Sequence, residues 1–224
     1  MSSDGAELAS QITEFLASKQ VPPNGAWMQM LMQGIRADTP LVGLRNTALF
    51  RILASDLQTS VRPSLCFPAN VTDATAREKS VRGPVTVQVL DVEDIGRSRW
   101  SQVEAIEAAQ RGEVTRGREI IPAAPDEHDE TPALPSFTGP HKLLLQDAKG
   151  VKAYALELAP VNKVGVDMAI GSKFVLRNFT VARGLLLLEP CNVEYLGGKV
   201  DAWHQKWKDD RLGMLKEKAN MGNV

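Results

Sequence analysis

Histidine, cysteine and aromatic side chains are scarce in this chain of 224 residues, with 3 His, 2 Cys and 5% aromatics. His128, His141 and His204 are widely separated, and Cys66 and Cys191 share no CxxC spacing. A zinc or iron–sulfur centre therefore has little raw material, and neither a metal nor a cofactor is expected. Two isolated cysteines fit free thiols in a reducing compartment, nucleus or cytosol, better than a disulfide framework. No excess of either charge is present: 26 Lys and Arg face 27 Asp and Glu, a formal charge of −1. Without a global basic field, DNA contact is expected to be weak or made through a partner. The longest leucine run, Leu185-Leu186-Leu187-Leu188, is far shorter than the roughly 20 residues of a spanning helix, and the start lacks the pattern of a secretory signal, so no membrane association is expected. Motifs of chemistry are missing too. There is no GxSxG, GxGxxG or GxxxxGK[ST], and Gly197-Gly198-Lys199-Val200 lacks both the leading glycine and the trailing hydroxyl of a phosphate loop. No catalytic residue is expected, and the three histidines read as structural or solvated.

What is present is patterning. Leu8, Ile12, Phe15 and Leu16 form an apolar helical stripe that ends near Lys19, ahead of Pro22-Pro23. A second helix starts after Asn24 and carries Trp27, Met28, Leu31, Met32 and Ile35. The third has Thr39 as its cap and Pro40 as its first helical residue, with a stripe running from Leu41 through Leu44, Ala48, Leu49, Ile52 and Leu53 to Leu57. Three such helices with short connections predict a bundle over 1–60. The polar stretch 61–83 reads as a linker that crosses a surface. Alternation of Val85, Val87 and Val89 marks a first strand, and denser β pattern follows from Lys142: a hairpin turning at Asp147-Ala148-Lys149-Gly150, then strands around Phe174, Phe179, Leu185 and Val193. Short strands of this kind with glycines at the corners predict a five-stranded β-barrel of the OB type over 84–199. Val200, Trp203 and Trp207 predict a closing helix over 200–224. The fold class is thus α+β, a three-helix bundle packed on an OB barrel.

Between the first two barrel strands lies an insertion, 97–139, too long for an ordinary loop. It opens with Trp100, Val103 and Ile106 at the spacing of a short amphipathic helix. It becomes basic at Arg111 and Arg116-Gly117-Arg118, and ends in a proline-rich tract with Asp126, Glu127, Asp129 and Glu130. Such a segment is either idle or ordered by a partner. A competing function is that of a free-standing single-strand-binding OB module. Tyr154, Phe174, Phe179 and Tyr195 would be its platforms, but at strand spacing they read as core. Lys149, Lys152, Lys163, Lys173, Arg177 and Arg183 read as a solvated rim.

The tracts Leu143-Leu144-Leu145-Gln146-Asp147-Ala148-Lys149-Gly150, Gly171-Ser172-Lys173, Arg183-Gly184-Leu185-Leu186-Leu187-Leu188-Glu189-Pro190 with Asn192-Val193, and Leu196-Gly197-Gly198-Lys199-Val200 together resemble the RecQ-mediated genome instability protein 1 family. The helical start, with Leu31-Met32 and Asp38-Thr39-Pro40-Leu41, is similar to that family's amino-terminal region. The resemblance implies a non-catalytic subunit that joins topoisomerase III, a type IA enzyme, to a RecQ-type helicase in dissolving double Holliday junctions, and of the two compartments it makes the nucleus the expected location. It implies that the insertion projects into the topoisomerase gate, with Trp100-Ser101-Gln102-Val103 as the loop base, and that Lys173 matches a lysine implicated in partner binding. Trp100, Val103 and Ile106 would then dock on the topoisomerase. A second expectation has Asp126, Glu127, Asp129 and Glu130 meet its basic DNA-binding surface as phosphate mimics, although a solvated acidic tract is the plainer reading. The larger animal members carry a further OB domain that recruits another small subunit; this chain resembles the short fungal members.

Overall fold

A computed structural model describes residues 3–35, 40–111 and 139–221. Helix α1 (Ser3–Ser18) buries Ile12 and Leu16 completely. It stops where Gln20 takes a positive φ and Val21 N–H turns back to the Leu16 carbonyl. Helix α2 (Gly25–Gln33) is capped by Asn24, whose Oδ1 accepts the Trp27 amide at 2.8 Å. Helix α3 (Leu41–Leu53) begins one residue later than its sequence suggests: Pro40 is extended and stands outside the helix, while Thr39 lies outside the described residues. Leu57 does not continue α3 either. The chain breaks at Ser55-Asp56, and the Asp56 carboxylate caps a separate turn, α4 (Leu57–Ser60). Ile12, Leu16, Trp27, Leu44, Ile52 and Leu57 are the heart of one apolar core.

The rest is built on eight strands: β1 (Lys79–Val81), β2 (Val85–Asp94), β3 (His141–Asp147), β4 (Lys152–Glu157), β5 (Lys173–Leu176), β6 (Phe179–Ala182), β7 (Leu185–Leu188) and β8 (Val193–Gly197). Their hydrogen-bonded order is β1-β6-β7-β4-β3-β2-β5-β8. This corrects the expected five-stranded barrel. The sheet is open in its pairing but strongly curled, because β5 and β6, distant in that order, are joined by Arg177 and Asn178 alone. β2 is also longer than its valine alternation: a bulge between Val89 and Asp91 shifts the inward phase, so that Val85, Val87 and Val89 are followed inside by Val92.

Segment 61–83 does more than connect. It supplies edge strand β1, paired with β6, and inserts Phe67 and Val71 into the sheet's own apolar core. Helix α5 (Arg99–Gln110) follows β2, and α6 (Asp201–Met221) closes the chain, packing Trp207 on that core. Among the described residues no helix is long and apolar enough to cross a membrane.

Bundle and sheet meet along a polar seam. Gln146, Gln88 and Lys173 are cross-strand neighbours on β3, β2 and β5. Gln88 Oε1 accepts the Leu57 amide at 2.9 Å, and its Nε2 donates to Asp56 Oδ1 at 2.7 Å and to Gln146 Oε1 at 3.0 Å. Beside the seam, Gly198 has φ of +92°, and a Cβ there would press into the Leu53 carbonyl. Gly198→Ala is expected to cost at least about 2 kcal/mol, read as a lower urea midpoint.

Candidate functional site

The insertion leaves the sheet through α5, which is fixed at both ends of its first turn. Ser98 caps it by accepting the Ser101 amide at 3.1 Å, and Gln102 Nε2 donates to the carbonyls of Asp94 (2.8 Å) and Arg97 (3.1 Å). Ion pairs tie it sideways to α6, Lys216 to Glu107 at 2.6 Å, and to β2, Arg99 to Glu93 at 3.1 Å, while Lys218 of α6 also reaches Glu93 at 3.4 Å. Burial works to raise the Glu93 carboxyl, but hydrogen bonds and charge from Arg99 and Lys218 outweigh it and hold it below the usual carboxylate range. The hydrogen bond and charge of Lys216 lower Glu107 likewise.

This anchoring corrects the expected docking stripe. Val103 is 2% exposed, turned into the protein body. At about 100° per residue, Trp100 and Ile106 then diverge by roughly 60° to either side of it. Trp100 remains 47% exposed, while Ile106 is half-buried and lines a groove on the other flank. The stripe holds α5 to the protein, and only its margins are free. Asp126, Glu127, Asp129 and Glu130 lie outside the described residues.

The groove, of about 650 Å³, runs between α5 and α6. Ala105, Ile106 and Ala109 form one wall, Trp207 and Leu212 the other, with Val166 at one end. Trp207 is held by its Nε1 donating to Asp91 Oδ1 at 2.7 Å and by the Arg211 guanidinium 4.6 Å from its ring centroid.

Lys173, expected at a partner surface, is completely buried. Its Nζ donates to the Gly171 carbonyl at 2.6 Å, and burial, opposed by the charge of Asp56, pushes its pKa down to about 7. It belongs to the seam.

At the insertion's other end, His141 opens β3 opposite Asp94. Its Nδ1 lies 2.6 Å from Glu157 Oε2, both side chains being buried; Glu157 also accepts the His141 amide (3.1 Å) and the Val161 amide (2.8 Å). His204 is structural as well, its Nδ1 accepting the Ile170 amide at 3.2 Å; burial first, then Lys208 and Lys199, lowers its pKa. Among the described residues no cluster of three His, Cys, Asp or Glu is placed to hold a metal.

The aromatic expectations divide. Phe174 and Phe179 are core, but Tyr154 and Tyr195 are 48% and 39% exposed. The Lys142 ammonium sits 4.4 Å from the Tyr154 ring centroid, capping one face of that ring.

Residues 67–211 match the family model described as RMI1, N-terminal OB-fold domain. The chain belongs to this family. RMI1 relatives of known name bear out the resemblance read from the sheet tracts. RecQ-mediated genome instability protein 1 of Schizosaccharomyces pombe is 23% identical over 223 residues, 92% of each chain. The Xenopus laevis protein of that name is 30% identical over 152 residues, 67% of this chain and 25% of its own. That of Gallus gallus is 28% identical over 176 residues, 77% of this chain and 26% of its own. The RMI1 match takes in segment 67–83, the whole sheet, α5 and α6 as far as Arg211, and so the groove's lining apart from Leu212. The bundle falls outside it, although the fission-yeast alignment must include most of the bundle to reach 92% of the chain.

Proposed function

We propose that the protein is a non-catalytic accessory subunit of a RecQ helicase–topoisomerase III complex, acting in the nucleus to promote double Holliday junction dissolution and decatenation. The OB-fold unit and its insertion bind the type IA topoisomerase. The observation that carries this reading is the RMI1 match across the sheet and α5, together with relatives named for RecQ-mediated genome instability. The geometry supports it in one respect: α5 gives the insertion a rigid root, clamped by Gln102 and by ion pairs to α6 and β2. A pre-ordered root lowers the entropy cost of placing a segment in a partner's gate.

Trp100 is the exposed anchor of that root, a large rigid side chain of the kind that dominates interface energy. Trp100→Ala is expected to weaken binding to purified topoisomerase III at least about tenfold without moving the unfolding midpoint. Unchanged affinity would remove Trp100 from the interface. The acidic residues Asp126, Glu127, Asp129 and Glu130 belong to the same reading as mimics of phosphate facing the gate. The single-strand-binding alternative loses two of its parts, since Lys173 is buried and one face of Tyr154 is capped by Lys142.

A further inference from the structure

We propose that the groove between α5 and α6 is a docking site for a peptide segment of the topoisomerase that offers a bulky apolar side chain, a main-chain N–H and an adjacent acidic residue. The inference rests on the function proposed above and adds the surface used and the chemistry it selects.

Three observations specify that chemistry. The first is shape. At about 650 Å³ the groove has the size of a ligand pocket, and Ala105 and Ala109, four residues apart on α5, leave the space open opposite Trp207 and Leu212. A helix pair packed only against itself would fill that space with larger side chains. The second is an unpaired acceptor. Gln102 lines the groove, is 5% exposed, and its Oε1 has no hydrogen-bond partner among the described residues. Its amide cannot flip to hide this, because Nε2 is engaged by the Asp94 and Arg97 carbonyls. A buried carbonyl oxygen left this way is costly unless an incoming N–H meets it. The third is charge. The lining carries three cations, Arg97, Lys208 and Arg211, against two acids, Asp94 and Asp209, and neither Arg97 nor Lys208 has an ion pair among the described residues. The net charge of the lining is +1, three cations against two acids, which suits a carboxylate. A nucleic-acid strand fits less well, because three cations interrupted by an apolar floor and two acids make a poor phosphate track.

The test uses the full chain and purified topoisomerase III, with affinity measured by calorimetry at two salt concentrations. Ala109→Trp fills the groove from an exposed helix position and is expected to weaken binding at least about tenfold. Lys208→Glu is expected to weaken it several-fold and to flatten the salt dependence. Both should unfold at the wild-type temperature. A photo-crosslinker on Ala109→Cys should capture a topoisomerase peptide holding a large apolar residue beside Asp or Glu. If wild type binds and both variants bind equally well, or if the crosslink goes to a basic segment or to added single-stranded DNA, the inference fails while the proposed function stands. If wild type forms no complex, both fail.

Discussion

Replacing Lys173 with methionine is expected to stabilise the protein at pH 7 by about 1–4 kcal/mol, raising the thermal midpoint by several degrees. The side chain is fully buried, and the Gly171 carbonyl is the one hydrogen-bond acceptor its Nζ finds among the described residues. Asp56 favours the charged form but does not offset the burial that brings the pKa to about 7. The pH dependence is a matter of linkage. Below pH 7 the lysine is charged in both folded and unfolded chains, and the fold bears the whole cost of burying it. From pH 7 upward the folded lysine loses its proton while the unfolded one, with its ordinary value of 10.5, keeps it. The unfolded state then binds more protons, so stability rises with pH across this window. Urea unfolding of wild type from pH 6 to 10 should show that rise, and Lys173→Met should lack it. A wild-type profile flat above pH 7, or a methionine variant less stable at every pH, would show that the ammonium contributes to the seam. The position matters for function because it lies opposite Gln88, which holds Asp56 and Leu57 of the bundle. An effect of Lys173 on partner binding would reach the surface through the docking of bundle on sheet.

Glu157→Ala is expected to be the most damaging single substitution at the root of the insertion, costing about 3–5 kcal/mol. The carboxylate holds two backbone amides, His141 and Val161, besides His141 Nδ1, and all of these are buried. Truncation leaves three polar groups without partners in a site water does not reach. Glu157→Gln should lose less, since its amide oxygen can still accept. The measurement is the urea midpoint at constant m-value; equal midpoints for wild type and Glu157→Ala would show that the pocket repacks or hydrates.

Much of this architecture was legible because local signals agreed with burial. Asn24 before an apolar stripe, the Asp147-Ala148-Lys149-Gly150 turn and the valines of β2 all marked elements that formed as read. What escaped depended on long-range pairing. Lys79-Ser80-Val81 has nothing local to distinguish it as a strand; it becomes one because β6 offers an edge. Phe67 and Val71, isolated apolar residues in a polar stretch, gave no periodic signal yet fill the sheet's core. Gln88 and Gln146 lie on the face of the sheet away from its apolar core, but the bundle covers that side and turns them into a buried network. Lys173 was singled out by a resemblance, and no pattern in the sequence distinguishes a surface lysine from one enclosed between two cores. Val103 left the expected docking stripe for a related reason: helical spacing identifies an apolar face but not whether the protein itself or a partner will cover it.

The central claim is that this chain works as the partner of a topoisomerase and not as a DNA binder in its own right. Light scattering coupled to size-exclusion chromatography, on the full chain mixed with purified topoisomerase III and separately with single-stranded DNA, tests it most directly. A stable complex with the enzyme, together with only weak, salt-sensitive retention of DNA by the chain alone, is the expected result. Tight DNA binding by the isolated chain with no topoisomerase complex would contradict it.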